Sequence, residues 1–283
     1  MQNLPILFKK QLNENTFMFR IEAPLIARKA QSGQFILIRP NDNGERIPLT
    51  IADYDRDAGW IAIIFQVVGG TTMQLSQLDA GQTVLDVTGP LGRASELEGY
   101  EGKHVAVIGG GLGCAIAYPQ AKRLHELGAK VDVIAGFRTK DLIMLEDEMR
   151  PVCENLVLMT DDGSNGNRGL VTDGLQKLID GGTEYSLVIA IGPPIMMKFV
   201  CKLTEKYNIK TVVSLNPIMV DGTGMCGGCR VSVGGKMKFA CVDGPDFDGR
   251  QVDFDELMKR LRVFNEQEKQ SYDHECNLLK MAQ

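Results

Sequence analysis

Three cysteines and one aspartate near the carboxyl end carry the densest chemistry of the chain. The run opens Asp221-Gly222-Thr223-Gly224-Met225-Cys226-Gly227-Gly228-Cys229 and closes on Cys241, a C-x2-C-x11-C pattern with Asp221 five places ahead of the first thiol. With a cysteine at 221 it would be the C-x4-C-x2-C…C spacing of plant-type 2Fe–2S clusters. Iron in such clusters takes soft, anionic thiolates. Glycines at 222, 224, 227 and 228 let a loop wrap closely around it. Between Cys229 and Cys241, Arg-Val-Ser-Val, Gly234-Gly235 and Lys-Met-Lys-Phe-Ala predict a hairpin with a two-residue turn, which swings Cys241 back to the loop. Two other readings stand beside this one: a structural zinc completed by Asp221 or a histidine folded back, such as His274, and thiols with no ligand at all. None of His104, His125 and His274 falls inside the run, and the second C-x2-C of a zinc ribbon is missing. Asp221 reads either as a ligand or as an ordinary loop carboxylate.

Three further runs could hold phosphates or rings. Gly109-Gly110-Gly111-Leu112-Gly113 follows the apolar segment His-Val-Ala-Val-Ile, which puts backbone amides and a helix N-terminus where a pyrophosphate can sit. Gly109 and Gly111 fit the first two positions of a dinucleotide fingerprint, and Cys114 stands at the third. A plain tight strand–helix turn is the other reading. Asp132 lies inside the next strand, and Arg138 and Lys140 follow it; they can meet a ribose phosphate or simply face water, so NAD and NADP both remain open. In the first third of the chain, Arg46-Ile47-Pro48-Leu49-Thr50 offers a guanidinium fork for a phosphate and a hydroxyl for a ring heteroatom, against an exposed Arg beside an ordinary strand. Gly69-Gly70-Thr71-Thr72 reads as a phosphate-holding turn or as a capped helix start.

The elements needed to position these runs are legible in pattern. Alternation and turn signals predict an all-β barrel over residues 1–98, with strands at 17–23, 35–38, 47–53, 60–67 and 83–87 and short helices at 72–78 and 94–97. From Lys103 the pattern changes to strand–helix alternation: strands at 104–108, 130–135, 155–159, 186–191 and 210–214, and helices at 115–127, 142–149, 172–178 and, after Gly192-Pro193-Pro194, up to 207. The division is a barrel over 1–98, a parallel α/β nucleotide domain over 99–215, a cluster-binding segment over 216–250 and a helical tail over 251–283. In the tail, Phe254, Leu257, Met258, Leu261 and Phe264 recur at helical spacing and predict one buried face. The 283 residues carry 44% hydrophobic and 24% charged side chains and a formal net charge of −5, the composition of a globular protein with no basic stripe for nucleic acid. No secretion signal opens the chain and no 18-residue apolar run crosses a membrane, so a cytoplasmic setting is expected, with Cys114, Cys153, Cys201 and Cys276 as reduced, inert thiols.

Together these runs resemble the ferredoxin–NADP reductase superfamily over essentially the whole chain. Arg46 to Thr50 resembles its flavin signature, which implies Arg46 on the flavin pyrophosphate and Pro48, Leu49 and Thr50 along the isoalloxazine. Gly69, Gly70, Thr71 and Thr72 match its second flavin-phosphate turn. Ile191-Gly192-Pro193-Pro194-Ile195-Met196-Met197 resembles the Cys-Gly-Pro-x-x-Met-Met run near the nicotinamide. Ser214-Leu215-Asn216-Pro217-Ile218-Met219, continued through Cys226, is similar to the cluster run of dihydroorotate dehydrogenase electron-transfer subunits, with Asn216 in place of Glu and Asp221 in place of the first Cys. Those departures resemble the small subunits of NADH-dependent reduced ferredoxin:NADP+ oxidoreductases, also called sulfide dehydrogenases, whose cluster has one Asp and three Cys ligands. The proline at 119 fits that branch as well.

The resemblance implies FAD held by Arg46–Thr50 and Gly69–Thr72, NAD(H) (or NADP(H)) across Gly109, Gly110, Gly111, Gly113, Arg138 and the 192–196 run, and a 2Fe–2S cluster on Asp221, Cys226, Cys229 and Cys241. It implies an oxidoreductase subunit in a heterodimer or larger assembly. Single electrons would pass to a larger flavin and iron–sulfur partner, and through it to ferredoxin, in electron bifurcation. No catalytic acid, base or nucleophile is expected. The alternatives are an electron-transfer subunit of dihydroorotate dehydrogenase or of a hydrogenase, and, in a different class, a redox sensor with a structural metal.

Overall fold

The computed structural model describes residues 4–281, with side chains through 274; residues 1–3, 282 and 283 and the side chain of Cys276 lie outside the described residues. The first unit comprises β1 (Leu4–Asn13), β2 (Thr16–Glu22), α1 (Pro24–Lys29), β3 (Phe35–Arg39), β4 (Ile47–Asp55), β5 (Trp60–Gln66), α2 (Gly70–Ser76), β6 (Thr83–Val84) and β7 (Asp86–Leu91). Its strands form one curled antiparallel sheet in the order β6-β1-β2-β5-β4-β3-β7. The register pairs Phe19 with Ile63 and Ile21 with Ile61, so the alternate apolar residues of β2 and β5 fall on one face and are fully buried. Phe19 and Phe65 meet edge to face at 5.1 Å. On the other face Arg20 lies 4.5 Å above the Trp60 ring, shielding it from water.

The second unit comprises β8 (His104–Gly110), α3 (Gly113–Glu126), β9 (Lys130–Phe137), α4 (Glu146–Met149), β10 (Asn155–Thr160), α5 (Val171–Asp180), β11 (Leu187–Ile191), α6 (Pro194–Lys206) and β12 (Thr211–Ser214). The sheet order is β10-β9-β8-β11-β12 with every pair parallel. Its central strands are buried along nearly their whole length, which is why they read as unbroken apolar runs. After β12 come a hairpin of β13 (Arg230–Val233) and β14 (Lys236–Phe239), then α7 (Ala240–Asp243) and β15 (Asp246–Asp248). β15 returns to this second sheet and pairs antiparallel with β12, Ser214 opposite Asp246. The tail is α8 (Phe254–Leu261) and α9 (Asn265–Met281).

Four expectations need correction. Residues 94–97 are not helical; this stretch is an extended connector, pinned where the Ser95 amide donates to the Ser32 carbonyl at 2.9 Å. The helix expected over 142–149 shrinks to a 3-10 turn at Lys140–Leu142 and the single turn α4, because Leu145 sits at φ +60 between them. The strand expected over 83–87 is two strands, since the Leu85 amide turns to the carbonyls of Arg39 and Pro40. In the tail, Phe254 and Leu257 are buried as expected, while Phe264 falls in the break between α8 and α9 and is 49% exposed.

Candidate redox-cofactor site

A cleft of about 260 Å³ opens where the two sheets and the cluster-bearing segment meet. Pro48, Leu49 and Thr50 of β4 form one wall, Leu112, Ala115 and Ile116 at the start of α3 another, and Ser214, Asn216, Pro217, Met219 and Pro245 the third. The lining is apolar with few polar edges, as a flat aromatic ring needs. Arg46, two residues before Pro48, lines a second groove with Arg39, Asp86 and Val87, and its guanidinium holds Asp86 at 2.6 Å. The Thr71 hydroxyl accepts the Glu45 amide at 3.2 Å, which brings the 69–72 turn beside Arg46. Thr72 is committed to its own turn: its hydroxyl accepts the amides of Val68 and Gly69 and donates to the Gly69 carbonyl. Above Gly69 the space is open. The apolar cleft fits a flat ring, and the Arg46 guanidinium beside an open glycine turn, shaped by Thr72, fits a pyrophosphate.

The glycines where β8 passes into α3 do two different jobs. A Cβ on Gly113 would stand 2.3 Å from the Ile191 carbonyl oxygen, and one on Gly110 would stand 2.4 Å from the Met196 sulfur. These two therefore permit close packing of the 109–113 turn on the Gly192-Pro193-Pro194 turn and Met196 of α6. Gly109 likewise makes room for Cys114, whose buried thiol is pushed up to about 12 by loss of water. Gly111, at φ +54, has open space above it and anchors its amide on the Gly136 carbonyl at 2.8 Å. That combination suits a backbone that a phosphate can approach.

Arg138 is exposed at the end of β9, and its carbonyl accepts the Asp162 amide at 3.3 Å. The loop that meets it, Asp161-Asp162-Gly163-Ser164-Asn165-Gly166-Asn167, was not among the expected site residues. The Ser164 hydroxyl accepts the Lys140 amide at 2.8 Å and donates to Asp162 at 2.7 Å. These bonds hold the exposed Asp162 carboxyl below the usual carboxylate range. The loop sits at the carboxyl edge of a parallel sheet, where such folds bind ligands. The signal was present: a cluster of turn-forming residues directly after an apolar strand.

The four expected cluster ligands gather at one end of the 216–245 segment as two pairs. Cys229 and Cys241 are buried with their sulfurs 3.2 Å apart. Asp221 and Cys226 form the outer pair: Asp221 accepts the Cys226 amide on one carboxylate oxygen at 2.8 Å and the Thr223 amide on the other at 2.7 Å. Each oxygen keeps a lone pair for a metal, and these bonds hold the carboxyl below its usual range. The Cys226 thiol is exposed and accepts the Gly228 amide at 3.4 Å. Burial and the neighbouring Cys229 thiol push Cys241 up to about 12, so metal entry must displace a proton there. Among the described residues no three His, Cys, Asp or Glu side chains converge on one ion. Three thiols and one carboxylate, with no histidine among them, fit the ligand chemistry of a two-iron cluster. His274 is exposed on α9. Arg260 of α8 braces the loop through the Gly228 carbonyl at 3.2 Å.

Curled antiparallel sheet, nucleotide sheet and cluster arm together define a class, and comparison with known proteins agrees. Residues 216–253 match the iron–sulfur cluster binding domain of dihydroorotate dehydrogenase B. The chain belongs to the family of dihydroorotate dehydrogenase B electron-transfer subunits and their homologues. Among its relatives, the electron-transfer subunit homologue of Thermotoga maritima is 48% identical over 268 residues, covering 95% of this chain and 94% of that one. The electron-transfer subunit of Clostridium acetobutylicum dihydroorotate dehydrogenase B (NAD(+)) is 35% identical, covering 79% and 87%. Among solved structures, a chain from the NADH-dependent reduced ferredoxin–NADP oxidoreductase, studied for flavin-based electron bifurcation, superposes with a TM-score of 0.91 at 46% identity over 97% of this chain and 98% of that one.

Proposed function

We infer that this chain is the electron-transfer flavoprotein subunit of a larger oxidoreductase, with FAD, a 2Fe–2S cluster and NAD(H) as its cofactors. When bound, these groups supply hydride exchange between nicotinamide and flavin and one-electron transfer between flavin and cluster; the protein supplies alignment, tuning and exclusion of water. The observation that carries the reading is the shared cleft. Its walls come from the proposed flavin strand at Pro48–Thr50, the proposed nucleotide turn at Leu112, and the 215–219 segment that leads to the cluster ligands.

In this reading Pro48, Leu49 and Thr50 flank the flavin ring, and Leu112, Ala115 and Ile116 keep water from its other side. Arg46 and the Gly69, Gly70, Thr71, Thr72 turn hold the pyrophosphate, Thr71 and Thr72 by shaping the backbone. Gly111 leaves room for the nicotinamide dinucleotide's phosphates and Arg138 takes their charge, Gly109, Gly110 and Gly113 give the turn its packing, and Gly192, Pro193, Pro194 and Met196 frame the nicotinamide. Asp221 and Cys226 hold one iron, and Cys229 and Cys241 the other. We assign residues 1–98 to flavin binding, 99–215 to the nucleotide, 216–250 to the cluster and 251–283 to the tail. Among the described residues no helix is long and apolar enough to cross a membrane. We place the chain in the cytoplasm on a separate ground, its unpaired cysteines Cys114, Cys153 and Cys201, which a reducing compartment keeps as thiols. We propose as its partner a larger flavin and iron–sulfur subunit that exchanges electrons with ferredoxin and NADP(H), the two species for which the related oxidoreductase is named.

An anaerobic NADH titration of the purified chain, followed by visible absorption and EPR together, tests the reading. Bleaching of a flavin band with a reduced 2Fe–2S signal supports it. A flavin-free protein containing zinc refutes it and favours the sensor alternative. Copurification of the large chain then separates this reading from a dihydroorotate dehydrogenase or hydrogenase subunit.

A further inference from the structure

Under the cleft lies a buried polar group that the cofactor reading does not use. The Asp246 carboxyl is withdrawn from water, with one oxygen accepting the Ser95 hydroxyl at 2.6 Å and the Gln120 amide at 3.3 Å. Ser214 faces the same carboxyl. The other carboxylate oxygen of Asp246 and the amide oxygen of Gln120 are both buried without a hydrogen-bond partner among the described residues. Two orphaned acceptors on side chains already joined at 3.3 Å are costly, and a single proton on Asp246 can relieve both by making one of them a donor to the other.

Charged groups on the surrounding elements are engaged elsewhere. On α3, Lys122 holds Asp53 at 2.8 Å and Arg123 pairs with Glu126. On the 92–97 connector, Arg93 donates to the Val242 carbonyl and Glu96 is exposed. At the end of β15, Asp248 accepts from the Arg250 amide and from Gln251, and on α7 Asp243 accepts the Phe239 amide. Among the described residues nothing positive compensates an ionised Asp246, and burial pushes its carboxyl above the usual range despite the bonds from Ser95, Ser214 and Gln120.

The position is as telling as the chemistry. Ser214 and Asp246 are opposite one another in the β12–β15 ladder, and the Leu215 amide donates to the Pro245 carbonyl at 2.9 Å. The whole cluster-bearing excursion therefore leaves and re-enters the nucleotide sheet through this one neck. Ser95 ties the neck to the connector from the flavin sheet, and Gln120 ties it to α3. Ser214 and Pro245 are themselves walls of the cleft.

We propose that Asp246 is a neutral carboxylic acid that donates its proton to Gln120, and that this protonated clasp with Ser95 and Ser214 fixes the cluster arm at its working distance from the flavin cleft. Asp246 is a positioning residue: it acts through Ser214 and Pro245 and touches no cofactor. The distance argument rests on the electron-relay reading; the protonation does not.

Two measurements on the full chain test it. Infrared difference spectroscopy of wild type against D246N should show a protonated carboxylic-acid carbonyl band at neutral pH, persisting above the ordinary carboxylate range. This readout needs neither cofactor, so its failure is distinct from failure of the relay reading. In the flavin- and iron-loaded chain, rapid-mixing kinetics should show flavin-to-cluster transfer retained in D246N, whose amide donates to Gln120 in the proton's place. In D246A the transfer should slow at least about tenfold, with flavin and iron contents unchanged, because a small misplacement of reacting groups has large rate effects. Raising the pH through the Asp246 titration should slow the wild type and leave D246N flat. Should D246A fail to fold, S95A removes one donor and should shift the infrared band and slow transfer. An ionised carboxylate at neutral pH, or D246N as slow as D246A, overturns the proposal.

Discussion

Two glycines of the nucleotide turn, identical in sequence terms, should respond to alanine in opposite ways. In G110A the new methyl meets the Met196 sulfur at 2.4 Å, the end of a flexible side chain that can swing aside. In G113A it meets the Ile191 carbonyl oxygen at 2.3 Å and carbonyl carbon at 2.7 Å, and the Gly192 Cα at 2.8 Å. All three are backbone atoms of β11 and the turn after it. Ordinary contact begins at 3.4 Å, so α3 and the β11 end must separate by about 1 Å, a strain of about 1–3 kcal/mol for overpacking. The movement carries Gly192, Pro193 and Pro194 with it, away from Gly111. A shift of that size between two groups that grip one ligand costs up to about 100-fold in productive binding. NADH titration of the flavin-loaded chain, with flavin content checked first, should give a G110A affinity within about threefold of wild type and a G113A affinity weaker by at least about tenfold. Equal affinities in the two variants, or the larger loss in G110A, would refute the argument from close packing.

Other predictions follow from single contacts. Replacing Arg46 by Gln should weaken FAD binding by at least about tenfold, the worth of a charge-assisted bond, and Lys should restore little of it because the planar fork is lost; flavin fluorescence quenching on titrating the apoprotein measures both. Asp221→Cys should keep the 2Fe–2S cluster and change its potential, since a carboxylate is a harder ligand than a thiolate; an unchanged midpoint in an EPR redox titration would show that Asp221 is no ligand. Tyr185→Phe should cost about 1–3 kcal/mol by leaving buried Asp132 without the 2.6 Å bond it accepts from the phenol, read as a lower unfolding temperature. Asp246, raised above its unfolded value, stabilises the fold fully below the ordinary carboxylate range and loses that contribution as pH climbs through the raised value. Thermal unfolding against pH should show that loss in wild type and not in D246N.

What the sequence made legible was chemistry that is local in the chain. Asp221, Cys226 and Cys229 lie within nine residues, and their loop and the returning hairpin follow from turn and strand preferences alone. The parallel strands were legible for a different reason: burial on both faces leaves a continuous apolar run. The misses share a non-local cause. Residues 94–97 have helix-compatible side chains, yet Ser95 is taken by Ser32 and Asp246, both far away in sequence. β15 is three residues long and acquires its strand character only from the exposed edge of β12. The pairing of Arg46 with Asp86, and the use of Thr72 for its own turn, depend on which strands lie adjacent. The loop 161–167 could have been flagged from composition, but its meeting with Arg138 and Lys140 required the strand order.

The neck at Ser214 and Asp246 also bears on how such a chain can be remodelled. Everything between them leaves and rejoins the sheet at neighbouring positions, so shortening it to a tight turn would convert β12 and β15 into a plain hairpin without re-threading a single strand. Loop-closure entropy grows only slowly with loop length, so the sheet is nearly indifferent to what is carried there. The cluster arm is in that sense a cassette: a one-electron module can be added to or removed from a two-electron reductase at one seam. The seam needs a specific latch because the sheet itself would accept many other occupants.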